Sequence, residues 1–446
     1  MQLLCGAAER VTTPKLGLDI PGYFGARKAT GVKSDLYTQA LVLDDGNEVL
    51  VLISIDILDF ISPFSRAVRK RLFEKIGVSP DHVMLLATHA HTAQPTNYTG
   101  FAVKKNTAAM KRLEDLTVEA AVEAYQNRRA VRMFAGKGEV QGISFVRNYW
   151  LKDGKGITNP GKSRAGQLAG RMAEIDQEVT MLRFEAENGD TVAHIVNFAC
   201  HLDVVSGSEY CADYPGEMRR VVKANYGQES VVLFMNGCAG NINHIDAYRT
   251  TEGYRYPKDH YVYMGEVLGA EVLRIDKEAS AEQSGVMLSA TSKSFLAKRR
   301  QPTDEMLQEA REVLASPDAK KEERIYAEER LALAAHPQHY KSIEVQAMRI
   351  GACGLVGLPG EIYCDVGLAI KAQSPYTYQL VCELANTTAG YVVTEPAFSK
   401  NVYEAKLGKY NSYLSPDAAE KMVAVAGKLL KRIKQKKPYP SCHLFE

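Results

Sequence analysis

Val83-Met84-Leu85-Leu86-Ala87-Thr88-His89-Ala90-His91-Thr92 decides how this chain is read. It begins as an uncharged apolar run, bounded upstream by Ser79-Pro80-Asp81, which predicts a short buried strand. It ends in His-x-His. Residues two apart on a strand share a face, so the spacing predicts that His89 and His91 leave the strand's C-terminal end side by side. Two imidazoles at a sheet edge can hold a metal. Two core or turn histidines would give the same pattern, so the rest of the chain has to decide.

The runs on either side have the same design. Leu36–Leu43 and Val49–Ile57 read as strands joined by the turn Asp44-Asp45-Gly46-Asn47. Asp56, inside the second run, needs a partner if buried; it is expected either to support a metal histidine or to cap the helix Pro63–Gly77. A loop, Thr92–Val103, and a helix, Lys104–Arg128, follow, and the strand–helix alternation argues a layered α/β core. Val131–Val146 is strand-like and leads to Arg147, then to a glycine-rich stretch at Lys152–Lys162 that reads either as a surface excursion or, by a small margin, as part of a substrate wall.

Val179–Phe184 and Thr191–Phe198 form a hairpin around Glu187-Asn188-Gly189-Asp190. The second strand runs into Ala199-Cys200-His201, a second apolar strand that closes on a histidine. Val231–Met235 opens into Asn236-Gly237-Cys238-Ala239-Gly240-Asn241, a loop whose glycines let backbone approach a ligand. It is not a P-loop, because no Gly-Lys-Ser/Thr follows. Pro302–His336 is a charged, helix-patterned segment, read as an insertion over residues 300–338 of a single domain spanning 1–446. Cys353–Leu358 is a third apolar strand, ending in Pro359-Gly360-Glu361; Gln379–Leu384 is another, followed by Tyr391. Ligands in open α/β sheets bind at the carboxyl ends of strands. Two histidines and a glutamate with an open position are the ligand set of a hydrolytic zinc site.

The composition excludes several classes. Of 446 residues, 55 are Lys or Arg and 53 Asp or Glu, for a net charge of +2 with the signs interspersed. That leaves no footprint for nucleic acid or an anionic membrane. The basic cluster Lys431–Lys437 reads as a solvated helix end. No apolar run approaches the ~18 residues of a membrane span, and the first ten residues lack the basic start of a signal peptide. Eight scattered cysteines, with no CxxC, fit buried hydrophobes in a reducing, cytoplasmic compartment.

Taken together, several motifs resemble the catalytic domain of the neutral (alkaline, non-lysosomal) ceramidase family, in its shorter bacterial branch. They are Ala87–Thr92, Asn197–His201, Ala212–Gly216, Phe234–Asn243, Gly357–Glu361, Gly390–Glu395 and the pair Tyr403-Glu404, in family order. The resemblance implies zinc (Zn2+) held by His89, His201, Glu361 and Tyr391. It places His91 and Tyr403 as groups acting on the substrate carbonyl, and Arg147 in the active-site wall. Thr92-Ala93-Gln94 stands where ceramidases have Ser-Gly-Pro, Asn241 replaces the loop's aspartate, and Gly237 and Cys238 occupy the region of a serine once proposed as nucleophile. A shorter relative without the immunoglobulin-like C-terminal domain is expected.

The expected function is zinc-dependent hydrolysis of an amide (N-acyl) bond by a metal-activated water, on a substrate that need not be a lipid. An ester could be cleaved on the same site; the alternative is a non-catalytic ligand-binding relative with a decayed site, and the presence of all four expected ligands argues against decay. A two-metal phosphoesterase would want more carboxylates. Association of identical chains stays open.

Overall fold

The computed structural model describes residues 2–25, 27–98, 103–400 and 402–435. Residues 99–102 of the expected Thr92–Val103 loop, and Lys436 and Lys437 of the basic cluster, lie outside the described residues. Twelve strands carry the architecture. In chain order they are β1 (Leu4–Val11), β2 (Tyr37–Asp44), β3 (Val49–Ile55), β4 (Val83–Ala87), β5 (Arg129–Glu139), β6 (Glu178–Ala186), β7 (Thr191–Phe198), β8 (Val231–Asn236), β9 (Leu288–Lys298), β10 (Tyr340–Ile350), β11 (Cys353–Gly357) and β12 (Tyr378–Cys382). The main sheet has the order β8-β7-β6-β5-β1-β2-β3-β4, and Ala281–Gln283 adds to β5. The second sheet has the order β9-β10-β11-β12.

The sheets face each other. Leu50 and Leu52 of β3 and Met84 and Leu86 of β4 share one core with Met348 of β10, Leu355 of β11 and Leu380 of β12. The alternate residues Val51, Ile53, Val83 and Leu85 pack instead on α1 (Ser62–Ile76) and α2 (Thr107–Gln126). The other half of the main sheet is covered by α3 (Asp213–Tyr226) and α4 (His260–Arg274), through Met218, Val222, Met264 and Leu268. The outer face of the second sheet carries α7 (Cys364–Ala372) and α8 (Asp417–Gln435). Between β9 and β10 lie α5 (Asp304–Ala315) and α6 (Lys321–Ala335). The result is a helix–sheet–sheet–helix stack, the layered α/β arrangement expected, with the charged helical segment inserted. Both faces of β3 and β4 are covered, which is why their sequences run apolar without alternation.

Three parallel pairs orient the fold's chemistry: β3 with β4, β7 with β8, and β11 with β12. His89, His201, the 237–240 loop and Glu361 all follow the carboxyl end of one of these strands. Local chemistry sets the boundaries. Gly46 turns the β2–β3 hairpin at φ 86°, its N–H donating to Asp44 Oδ1 at 2.8 Å. Gly77 ends α1 in the left-handed region, and Asn106 caps α2 by accepting from the Ala109 N–H.

Two expectations need correction. β4 ends at Ala87, and His89 has φ 77°, so the His-x-His pair is not presented by strand alternation. It is presented by a bent backbone whose His89 N–H donates to Ile57 O at 3.0 Å and whose His91 N–H donates to Leu202 O at 3.1 Å. Asp56 neither caps α1, whose N-cap is Ile61, nor bonds a histidine. It is fully buried and paired with both terminal nitrogens of Arg219, at 2.7 and 2.9 Å. Its remaining bonds come from the Tyr37 N–H and the Thr88 hydroxyl.

Candidate metal centre

His89 and His201 are each held by a backbone carbonyl. The Nδ1 of His89 donates to Leu58 O at 2.9 Å, and that of His201 to Ala239 O at 3.2 Å. These bonds fix the tautomer and leave the Nε2 lone pairs free for a metal. The two Nε2 atoms lie 2.9 Å apart, with Glu361 Oε2 at 3.3 Å from the first and 3.6 Å from the second. Three electron-pair donors thus converge on one point, an arrangement that only a proton or a cation stabilises. Burial pulls the His89 imidazole down, but the Glu361 carboxylate outweighs it and brings His89 to about 9. Burial and the His89 charge drive His201 well below the usual imidazole range. Positive charge is therefore favoured once among these rings, next to one carboxylate.

His91 completes the group of three imidazoles whose ligand atoms all lie within 4.8 Å of one another. Its Nε2 is 3.2 Å from His89 Nε2. It differs from the other two because its Nδ1 is buried without a partner, so nothing fixes its tautomer. Burial, then the His89 charge, lowers it to about 3 and keeps it neutral. Its backbone is anchored by Arg27, whose Nη2 donates to His91 O at 2.6 Å.

Glu361 and Tyr391 are brought together by backbone pairing. Glu361–Ile362 and Tyr391–Val392 form a short parallel ladder with Glu361 opposite Tyr391, which puts the Tyr391 phenol beside the Glu361 carboxylate, where against burial it helps the His89 charge keep that carboxylate ionised. Arg147 donates to the Tyr391 phenol oxygen at 3.1 Å and to Gly240 O at 2.6 Å. Tyr403 packs edge-on to Tyr391, ring centroids 5.8 Å apart. All seven residues singled out in the sequence line one cavity of about 520 Å³. The Lys152–Lys162 stretch lies on its wall, as expected, through Gly156, Ile157, Thr158 and Asn159.

The structure adds residues with weak sequence signals. Gly22 sits at φ 108°, and a Cβ there would fall 2.7 Å from His91 Nδ1. Asp59 is buried on the cavity wall, bonded by the Tyr98 phenol at 2.8 Å, with its other oxygen unpartnered. Burial raises it to about 7. Asp203, two residues beyond His201, also lines the cavity. Glu322 of α6 reaches the cavity and pairs with Lys406 at 3.3 Å, so the helical insertion contributes to the site. Glu383 is fully buried and accepts from the Ala239 and Ile362 N–H groups, tying the loop behind His201 to the strand carrying Glu361. Cys238 does not face the cavity; its thiol packs against Gly367, and burial pushes it well above the usual thiol range.

Residues 4–209 match the protein-family model described as "Neutral/alkaline non-lysosomal ceramidase, N-terminal". The whole chain superposes on neutral ceramidase from Pseudomonas aeruginosa with a TM-score of 0.76 at 18% identity, covering 100% of this chain and 76% of that one. A ceramidase solved in complex with C2 gives a TM-score of 0.76 at 17% identity, over 99% of this chain and 78% of the other. At these identities the structural likeness shows a shared fold. Among the described residues no helix is long and apolar enough to cross a membrane.

Proposed function

We propose that this chain, whose residues 4–209 match the neutral/alkaline non-lysosomal ceramidase N-terminal model, belongs to that family and is a zinc-dependent hydrolase of amide (N-acyl) bonds. The observation that carries the reading is the convergence of His89 Nε2, His201 Nε2 and Glu361 Oε2 within 2.9–3.6 Å of one another, with both Nδ1 atoms already committed to carbonyls. Two imidazoles, a carboxylate and the Tyr391 phenol suit zinc by donor type. His91, without a tautomer-fixing partner, is assigned beside the metal rather than on it. A zinc ion held by these residues would supply Lewis-acid activation of a water nucleophile at neutral pH.

The chain's own residues do the rest. Neutral His91 and the Tyr403 phenol face the cavity and supply hydrogen bonds to a carbonyl oxygen as charge develops on it, each worth roughly 3 kcal/mol. Arg147 holds the Tyr391 phenol in line with Glu361. Gly237 and Gly240 have no room for a side chain, and the 237–240 loop's one nucleophilic side chain, Cys238, does not line the cavity. A Cβ on Gly237 would meet Ala199 Cβ at 2.8 Å, and one on Gly240 would meet Glu361 O at 2.7 Å. A water nucleophile fits that loop. The substrate is a small N-acyl compound of a size for a cavity of about 520 Å³, whose wall mixes Tyr23, Phe24 and Leu58 with Asp59, Asp203 and Lys406.

The test is hydrolysis of N-acyl amides of short and medium chain by zinc-loaded, chelator-stripped and zinc-restored protein. Activity should vanish on stripping and return with zinc. Undiminished cleavage by metal-free protein would refute the proposal.

A further inference from the structure

A second cavity, of about 150 Å³, shares two walls with the first, Tyr98 and Tyr410. Their rings stack, centroids 5.2 Å apart. Gly390 lines it too, one residue before Tyr391, and its carbonyl accepts from the Glu361 N–H at 3.0 Å. The small cavity thus lies across the stacked Tyr98–Tyr410 pair from the cavity of the metal centre.

Its charge is one-sided. Arg299, Lys341 and Lys409 line it, and no carboxylate among the described residues does. Strand pairing produces this. Lys341 stands opposite Ala297 in the β9–β10 ladder, and the Arg299 N–H continues the ladder to His339 O at 2.8 Å. Residues two apart share a face, so Arg299 is the diagonal neighbour of Lys341, and like charges so placed repel. The charged groups acting on half-buried Lys341 are Arg299 and Arg66, which together with burial hold its ammonium below the ordinary lysine value. Arg299 Nε is buried without a partner, while its Nη1 donates to Gln338 Oε1 at 2.5 Å. Strand pairing holds Arg299 and Lys341 on one face, and the counter-charge they call for is a small oxyanion.

We propose that this cavity is a subsite for a carboxylate, sulfonate or phosphate group carried by the substrate whose amide lies at His89, His201 and Glu361, an inference resting on the amide-hydrolase reading. The class is then N-acyl compounds with an anionic group on the amine or acyl part.

The experiment uses zinc-loaded wild type, Lys341→Met and Arg299→Gln. Calorimetry measures binding of inorganic sulfate and of matched N-acyl amino acids and their uncharged primary-amide analogues; kcat/KM is measured for the same pairs. Wild type should bind sulfate and favour the anionic member of a pair tenfold or more. Each variant should weaken sulfate tenfold or more and bring the anionic-to-neutral ratio towards one, a ratio in which general damage cancels. No sulfate binding, or equal binding by the variants, overturns the subsite. Sulfate binding without preference for the anionic amide makes it a site for a free anion and overturns the substrate assignment. If no amide is cleaved but the anionic members bind preferentially, the hydrolase reading fails while the subsite stands.

Discussion

Arg147 and Glu404 are buried against each other behind the histidine cluster, Arg147 Nε donating to Glu404 Oε1 at 2.6 Å. Asn148 and the Tyr363 phenol donate to the other carboxylate oxygen, at 3.1 and 3.2 Å. The pair reaches the site through Tyr391, to whose phenol Arg147 donates and which stands opposite Glu361 in the short ladder. Removing one partner of a buried, hydrogen-bonded pair leaves an uncompensated charge, at about 3–5 kcal/mol. Glu404→Ala should lose that much stability, read from urea denaturation at neutral pH. A loss below about 1 kcal/mol would mean that water reaches Arg147.

His201 and His91 should separate on metal content. His201→Ala removes a donor whose tautomer is fixed by Ala239 O, and zinc per chain should fall far below that of wild type by elemental analysis. His91→Ala should keep its zinc yet lose roughly 10²–10³ in kcat, and Tyr403→Phe the same, as for other donors to a developing oxyanion. If His91→Ala loses its zinc as well, His91 is a ligand rather than a group beside the metal.

Gly22→Ala tests the close approach at His91. The position has φ 108°, and the new methyl carbon would lie 2.7 Å from His91 Nδ1. The ring must move or the loop must strain. Displacement by about 1 Å from the working geometry costs on the order of 10² in rate. The expected result is a kcat loss of that size with unchanged zinc content.

His194 sets a pH dependence remote from the site. It lies on β7, fully buried, both ring nitrogens unpartnered, against the Tyr226 ring. Burial lowers it from 6.5 to about 3. The unfolded chain takes up a proton at higher pH than the folded one, so the contribution is intact above 6.5 and is lost as pH falls towards 3. At pH 5 the loss is about 2 kcal/mol, from ~1.4 kcal/mol per unit. Denaturation of wild type and His194→Leu at pH 7 and pH 5 should show a smaller drop in the variant; equal drops would contradict it.

What the sequence makes legible follows from how burial writes itself into residues. Strands covered on both faces run largely apolar, so Val83–Ala87, Cys353–Gly357 and, despite His194 and Asn197, Thr191–Phe198 stand out, and the polar residue that follows each run is conspicuous. His89, His91, His201 and Glu361 are found this way. Tyr403 comes only with the family motifs, and Arg147 shows locally only as the residue that follows a strand-like run before the wall stretch. β9, Leu288–Lys298, has small and polar residues on a half-covered sheet and shows no such run. Asp56 and Asp59 belong to one stretch, and only the tertiary fold gives Arg219 to the first and the cavity to the second. The insertion's sequence is that of a solvated helix pair, and Glu322's place at the cavity depends on where that pair docks. The left-handed backbone of His89 has no signature, because histidine is not a residue that signals a turn.

The central claim is tested most directly by zinc-edge anomalous diffraction from crystals of zinc-loaded protein. The account predicts one strong peak per chain within bonding distance, roughly 2.0–2.2 Å, of His89 Nε2, His201 Nε2 and a Glu361 oxygen, with His91 outside that distance. No peak at this point, or a zinc ion bound only elsewhere on the chain, would contradict it.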